Sequence, residues 1–338
     1  MKEKKTVSFS KNSTNIFFHI LTKCNLNCLH CYINKEQHGK TTLSLETIKS
    51  WLDAFSAKNK IANVVFLGGE PTLHPDLPLA VKYAKNTGYK SITVDTNGYL
   101  FNRFLSKITP DEIDFISFSL DGATKSTNDM LRGKGSYDRC ISGIKESVSK
   151  GFNTSLIYTV SSANINELAM MEPLLCDLKI GRFFIQVIGI RGKSAKCASF
   201  QGKEKPQVLR QQWIDNIPVI AENISMHGIT VTYPKVFLDP EDKFECAGLV
   251  ADNYFIFPNG RVYRCPLCED YPVHSMEFKD NKLVQTGKIN EADLFELSIP
   301  EGCVMNKLIQ PGNLSCKKDG IPEYKIACCL LKEEIVKI

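Results

Sequence analysis

Six short, nearly all-apolar and β-branched runs, at residues 17–22, 63–67, 91–96, 115–120, 154–160 and 183–188, alternate with amphipathic stretches near 45–58, 76–87, 102–108, 136–150 and 164–176. Leu45, Ile48, Leu52 and Phe55 recur at the helical period. An apolar strand needs cover on both faces, and helical crossovers between successive strands provide it. The pattern therefore predicts an α/β fold of right-handed βα units around a parallel sheet. Periodicity alone leaves open whether such a sheet is flat, closed or a partial barrel. It does place a ligand site at the carboxyl ends of the strands, where the βα loops gather. Cys24, Cys28, Cys31, Gly68, Gly69, Glu70, Asn97, Ser119 and Asp121 all stand at or just past such an end.

The 338 residues suffice for one large domain or two ordinary ones, and 43% hydrophobic with 23% charged residues is globular composition. A net charge of +5 permits an acidic partner but does not suggest a nucleic-acid binder, so none is expected. Residues 1–11 are polar and basic, with no apolar run behind them long enough for secretion or membrane spanning; a cytoplasmic protein without membrane contact is expected. The 13 cysteines are the outlier. Their odd number and close pairs, in a chain this large, argue against a disulfide framework and for thiolates that bind metal.

The texture changes near residue 190. Residues 1–16 read as a basic tail, 17–190 as the βα core, 191–241 as a loop and connecting helix (208–227), and 242–338 as a smaller cysteine-rich domain. Residues 189–207, rich in Gly, Lys and Ser, read as a lid. Asn259-Gly260 between two apolar runs predicts a hairpin. Seven cysteines follow Asp242: Cys246, Cys265, Cys268, Cys303, Cys316, Cys328 and Cys329. Cys140 and Cys176 fall in helical patterns and read as buried packing; Cys197, in the polar loop, reads either as a catalytic or as a bland thiol.

CNLNCLHC, residues 24–31, puts three thiols on one tight loop. Three sulfurs can bind three irons of a cubane and leave the fourth open to a chelating amino-carboxylate. A structural zinc site would want a fourth protein ligand. One βα unit later, VVFLGGEP runs a strand into Gly68-Gly69, where backbone can approach a ligand closely or take strained dihedrals, followed by Glu70, placed to receive an amino group. For Ser119 and Asp121 a helix cap with a turn is the plain alternative.

CNLNCLHC resembles the cluster-binding signature of the radical S-adenosylmethionine (SAM) superfamily, and GGEP its methionine-binding motif; DTNG at 95–98, the run at 117–139 and TVSSANINEL at 159–168 extend the likeness over about 17–190. The resemblance implies a partial (β/α)6, TIM-like barrel. It makes Cys24, Cys28 and Cys31 catalytic ligands of a [4Fe–4S] cluster, with His30, Gly68, Gly69, Glu70, Asn97, Ser119, Asp121 and Arg132 around S-adenosylmethionine. His30 replaces the usual aromatic and would pack on adenine; Arg132 would approach the carboxylate. Cys246 and Cys265 around Gly260 are similar to the opening of the SPASM or twitch extension. With Cys268, Cys303 and Cys316 as further ligands they imply one or two auxiliary [4Fe–4S] clusters, zinc remaining the alternative. A ferredoxin or flavodoxin would supply the electron. The implied oxidoreductase-type reaction is hydrogen abstraction by a 5′-deoxyadenosyl radical, for peptide or protein maturation by oxidation, thioether or carbon–carbon bond formation, or epimerisation. A small-molecule dehydrogenase or cofactor-biosynthesis enzyme is the second reading.

Overall fold

The computed structural model describes residues 2–7, 9–56, 61–196 and 206–337. Its strands are β1 (Lys2–Val7), β2 (Ser13–His19), β3 (Ile61–Leu67), β4 (Ser91–Thr96), β5 (Phe115–Ser119), β6 (Thr154–Val160), β7 (Arg182–Val187), β8 (Thr230–Pro234), β9 (Phe237–Leu238), β10 (Asp252–Ile256), β11 (Arg261–Tyr263), β12 (Met276–Lys279), β13 (Lys282–Gln285), β14 (Lys325–Ile326) and β15 (Lys332–Lys337). The large sheet runs β1-β15-β8-β7-β6-β5-β4-β3-β2-β10-β11-β12-β13, and β9 pairs with β14 apart from it. From β10 through β2–β7 to β8 every neighbour is parallel. The six expected strands are thus consecutive in this sheet. Because β2 bonds to β10 and β7 to β8, the two do not pair with each other, and the barrel stays open.

Helices Leu45–Ser56, Leu77–Asn86, Ser136–Ser149 and Met171–Asp177 follow the βα order. Helix Leu45–Ser56 buries Ile48, Trp51, Leu52 and Phe55, and these join Ile16, Phe18, Val64 and Phe66 of β2 and β3 in the main core. Burial alternates along β2, β3 and β4, so only one face of each lies under the helices. The opposite face is half-buried and partly polar. Asn63 donates to Asn15 and Asn15 to Asn253, both at 3.0 Å, an amide ladder across β3, β2 and β10. Strands that read as apolar throughout therefore carry a polar barrel interior.

Four expectations change. The first sixteen residues contain β1 and the start of β2, and β1 pairs antiparallel with β15, joining the two ends of the described chain at the sheet margin. Lys4 and Lys5 on this outer strand fit an edge guarded against further pairing. The helix expected near 102–108 is one 3-10 turn, Phe101–Arg103. An extra helix, Lys125–Arg132, capped by Thr124, follows β5. Cys176 is exposed, whereas Cys140 is buried and its thiol donates to Ser119 O at 3.7 Å. Cys197 lies outside the described residues. The Asn259-Gly260 hairpin joins β10 to β11 in register Phe255↔Tyr263, with Gly260 at φ +87°. Among the described residues no helix is long and apolar enough to cross a membrane.

Candidate functional site

The loop after β2 is tied down on both sides. Gly69 N–H donates to Leu21 O and Glu70 N–H to Lys23 O, each at 2.9 Å, while Leu29 N–H donates to Leu131 O at 2.9 Å. This explains the double glycine. A Cβ on Gly68 would meet Leu21 O at 2.7 Å, and one on Gly69 would meet Lys23 O at 2.4 Å. Neither glycine has positive φ, so close approach to the base of the cysteine loop, rather than strained dihedrals, requires them.

Glu70 is buried and fully engaged. Its Oε1 accepts from Thr72 N (3.0 Å), Thr72 Oγ1 (2.5 Å) and Thr96 Oγ1 (2.8 Å), and Oε2 accepts from Asn97 N at 2.7 Å. Burial pushes its carboxyl up, and these hydrogen bonds pull against that. The side chain caps the 3-10 turn Pro71–Leu73 and joins the ends of β3 and β4. Asn97 in turn donates to Asn25 Oδ1 at 3.0 Å and reaches Cys24 Sγ at 3.7 Å. Cys24 Sγ also accepts from Leu26 N at 3.3 Å, and the Cys28 thiol donates to Arg132 O at 3.7 Å.

Asp121 and Arg132 form a buried ion pair that the half-buried His30 joins. Asp121 Oδ2 lies 2.6 Å from Arg132 Nε and 2.9 Å from His30 Nε2, and Oδ1 accepts from Thr159 N at 2.7 Å. The Arg132 contact is close but poorly aligned for a hydrogen bond, and it acts as an ion pair. Burial disfavours the Asp121 charge, yet Arg132 and then His30 outweigh it and hold the carboxyl well below the usual range. His30, expected to lie on adenine, instead points at Asp121, and the Arg132 guanidinium already has an anionic partner. Asn128 Oδ1 accepts from Asp121 N at 2.9 Å, whereas Thr124 caps the following helix. Ser119 ends β5 at the same rim, half-exposed.

The C-terminal cysteines gather in a cavity lined by Cys246, Cys265, Cys303, Cys328 and Cys329. Cys268 packs beside Cys265, in the cluster that also holds Cys303 and Cys329. Cys316 does not join them. It is exposed and β-bridged to Pro322, and Cys328 and Cys329, not Cys316, line the cavity. The cause is topological: Cys303 N–H donates to Ile326 O at 3.1 Å, beside the β14 pairing, and a turn closed by Leu331 N–H on Cys328 O (2.9 Å) lets two adjacent thiols line one cavity. Glu291, buried, accepts from Arg264 N (2.7 Å) and Cys265 N (3.2 Å) and so fixes the Cys265 backbone.

A segment read as a lid connects the two cysteine sites. Lys193 N–H donates to Cys31 O at 2.9 Å, Gly192 N–H to Asp270 Oδ2 at 2.7 Å, and Ile190 N–H to Gln310 Oε1 at 2.9 Å. Between them the Arg191 guanidinium pairs with Glu269, donates to Pro266 O at 2.5 Å, and lies 4.6 Å from the centre of the Tyr32 ring. Burial pushes the Glu269 carboxyl up to about 8 although Arg191 pulls it the other way. Tyr32 OH is 2.8 Å from His19 Nε2, and Phe257 is stacked between His19 and His38 at 4.1 and 3.8 Å. Burial pushes both histidines down to about 3, so they are neutral at pH 7. Sequence reasoning missed this network. Its signal was an Arg-Gly pair inside a stretch otherwise fit for a loop.

The donor sets fit iron–sulfur clusters. The thiols of both sites are free, and burial, the main cause, raises Cys24 and lifts Cys28 to about 11, so a metal must displace their protons. Among the described residues no three His, Cys, Asp or Glu side chains converge on one point as a single ion requires.

The family model described as Radical SAM superfamily matches residues 19–172. The Fe-coproporphyrin III synthase of Methanosarcina barkeri is 30% identical over 194 residues, 56% of this chain and 48% of that protein. A probable GTP 3′,8-cyclase of Saccharolobus islandicus is 34% identical over 164 residues, 48% of this chain and 53% of the relative. The chain thus spans about half the length of these curated relatives. Among solved structures, Streptococcus suis SuiB bound to precursor peptide SuiA aligns at a TM-score of 0.63 and 16% identity, covering 89% of this chain and 66% of that one. Native anSMEcpe with bound AdoMet aligns at 0.60 and 13%, covering 91% and 85%. These two likenesses establish the shared fold. The match over 19–172 covers the open parallel sheet and the three-cysteine loop at its rim, and over that stretch the chain is similar to the Radical SAM superfamily.

Proposed function

We propose that Cys24, Cys28 and Cys31 hold a [4Fe–4S] cluster with one iron left for S-adenosylmethionine, and that Cys246, Cys265, Cys303 and Cys328 hold one auxiliary cluster. When bound, the first cluster supplies the electron that splits S-adenosylmethionine into methionine and a 5′-deoxyadenosyl radical. The single observation carrying this is the rim itself, where Glu70, Asn97 and Cys24 are linked by hydrogen bonds across three strand ends. Gly68 and Gly69 seat the turn that positions Glu70, Asn97 steadies Cys24, and the Asp121–Arg132–His30 group braces the far side of the loop. Ser119 stands where the pocket would receive the cosubstrate.

The decisive experiment is anaerobic incubation of reconstituted, dithionite-reduced protein with S-adenosylmethionine. Formation of 5′-deoxyadenosine that is lost in Cys24→Ala supports the reading; equal amounts in both would refute it. For the auxiliary site the contrast is Cys328→Ser against Cys316→Ser, each in a Cys24/Cys28/Cys31→Ala background. The first should lose most of its iron and the second should keep it, as iron and sulfide analysis would show.

For the substrate, the reading is peptide or protein maturation, supported by a fold likeness to SuiB that extends over the C-terminal module. The sequence likeness to Fe-coproporphyrin III synthase favours a second reading, a small-molecule tailoring enzyme. Low-molecular-weight extract that stimulates 5′-deoxyadenosine formation separates the two. Protease treatment abolishes the stimulation if the substrate is a peptide and leaves it intact if it is not.

A further inference from the structure

Asn97, buried at the end of β4, is held in one orientation. Its backbone N–H donates to Glu70 Oε2 at 2.7 Å, and its Oδ1 accepts from Tyr99 N–H at 2.9 Å. A backbone N–H can only donate, so the other end of the carboxamide must be the amino end. That end, Nδ2, donates to Asn25 Oδ1 at 3.0 Å and lies 3.7 Å from Cys24 Sγ. Asn25 is fixed in turn, because its Oδ1 already faces a donor. This leaves Asn25 Nδ2 buried with no hydrogen-bond partner among the described residues. A buried N–H without an acceptor costs about 1–3 kcal/mol. Its place on the loop between Cys24 and Cys28 therefore calls for an acceptor that the side chains and backbone around it do not supply. Cys24 Sγ also accepts from Leu26 N–H at 3.3 Å. Donors thus gather at the Cys24 corner of the loop, whereas the Cys28 thiol faces a carbonyl, Arg132 O, at 3.7 Å.

We infer that the Asn25 and Asn97 carboxamides are N–H···S donors to the cluster held at Cys24, Cys28 and Cys31, and that they raise its reduction potential. The inference deepens the proposed function and rests on that cluster. Asn97 donates to the Cys24 thiolate, and Asn25 Nδ2 finds its missing acceptor in a sulfur of the cluster. The sign follows from charge. Reduction adds one electron, and the cluster's sulfurs share the added negative charge. An N–H dipole aimed at sulfur stabilises the reduced form more than the oxidised one, as a charged acceptor strengthens any hydrogen bond. The two residues act through sulfur, as positioning residues.

The test is a potentiometric titration of the reconstituted protein followed by electron paramagnetic resonance, in which the first cluster is the wave that Cys24/Cys28/Cys31→Ala lacks. Leucine matches asparagine in shape but brings neither an N–H nor a charge. In Asn97→Leu, and separately in Asn25→Leu, the ratio of reduced to oxidised first cluster at a fixed potential should fall about tenfold, a shift of about 59 mV to lower potential for one electron. The wave that Cys24/Cys28/Cys31→Ala retains should not move. A change of less than about twofold in either variant, or an equal shift of both waves, overturns the inference. A variant that loads poorly does not shield it, because the unmodified protein gives a second readout. With nitrogen-15 placed only in the asparagine side-chain amides, the reduced first cluster should show hyperfine coupling to that nitrogen. Absence of this coupling overturns the inference while leaving the cluster in place. If Cys24/Cys28/Cys31→Ala lacks no wave at all, the proposed cluster itself falls, so the two failures are distinguishable.

Discussion

Arg132→Leu lowers the melting temperature by about 5–10 °C and the iron content of the Cys24 loop with it, and adding Asp121→Asn restores much of the stability. Removing one member of a buried ion pair costs about 3–5 kcal/mol, because the remaining charge has no partner and little water. A change of this size moves the melting point of a large domain by several degrees. Asp121 is fully buried and Arg132 nearly so, so solvent screening cannot soften the loss. The carboxamide in the double variant removes the stranded charge and can still accept the Thr159 N–H that Oδ1 accepts now. If the cost came from lost packing around the guanidinium, the second substitution would not help. Iron loading follows because Leu131 O and Arg132 O hold the loop at Leu29 and Cys28. The pH dependence has a definite sign. With its folded value depressed, Asp121 contributes stability above the ordinary aspartate pKa of about 3.9 and loses it as pH falls toward the depressed value. The gap between native protein and Arg132→Leu is therefore full at pH 7 and narrows below about pH 4. Thermal and chemical denaturation of the three proteins at several pH values would measure it.

The parts of the fold that could be read from sequence are those set by local pattern. Apolar runs mark β2–β7, the 3.6-residue period marks helix Leu45–Ser56, and Asn259-Gly260 marks the β10–β11 turn. The cysteine loop was legible because three thiols at short spacing on one strand end have few other uses. Long-range pairing was not legible. β1 is mostly charged and has no apolar face of its own, and only its partner β15, more than three hundred residues later, makes it a strand. From sequence Cys316 is preferred to Cys328 as a ligand, since spacing along the chain does not reveal that β14 and the turn after it carry Cys328 inward. His30 and Arg132 are assigned to the cosubstrate by the family resemblance, which says nothing of their contacts with each other's neighbours. In the structure both contact Asp121, contributed by another loop.

The segment from Gly189 to Ser194 was misread for a different reason. Its Gly and Lys content suits a mobile loop, but Gly192 has φ +60° and a Cβ there would meet Cys31 O at 2.5 Å. Gly192→Ala therefore adds the cost of a left-handed conformation, about 1–2 kcal/mol, and pushes against backbone that cannot easily yield. Arg191→Leu removes the partner of the buried Glu269 beside the second cysteine site. Burial already pushes that carboxyl up to about 8, so it takes a proton rather than standing as a bare charge, and the loss is that of the hydrogen bonds to Glu269 and Pro266 O, about 1–3 kcal/mol. These two substitutions attack one contact from its opposite ends. If the segment clasps the Cys31 loop to the 265–270 turn, either change should raise amide hydrogen exchange together at residues 28–34 and 266–271, although Arg191 makes no hydrogen bond to Cys31 and Gly192 none to Pro266. Sub-global opening of this kind exposes a whole contiguous unit at one free energy. Exchange that rises only at the substituted residue and its immediate neighbours would show that the two cysteine sites are held independently. Arg191→Lys provides the finer discrimination. A lysine keeps the charge opposite Glu269 but cannot span Glu269, Pro266 O and the Tyr32 ring with a planar fork. It should recover thermal stability more fully than it recovers protection at residues 28–34, because the charge serves the pair whereas the fork serves the coupling.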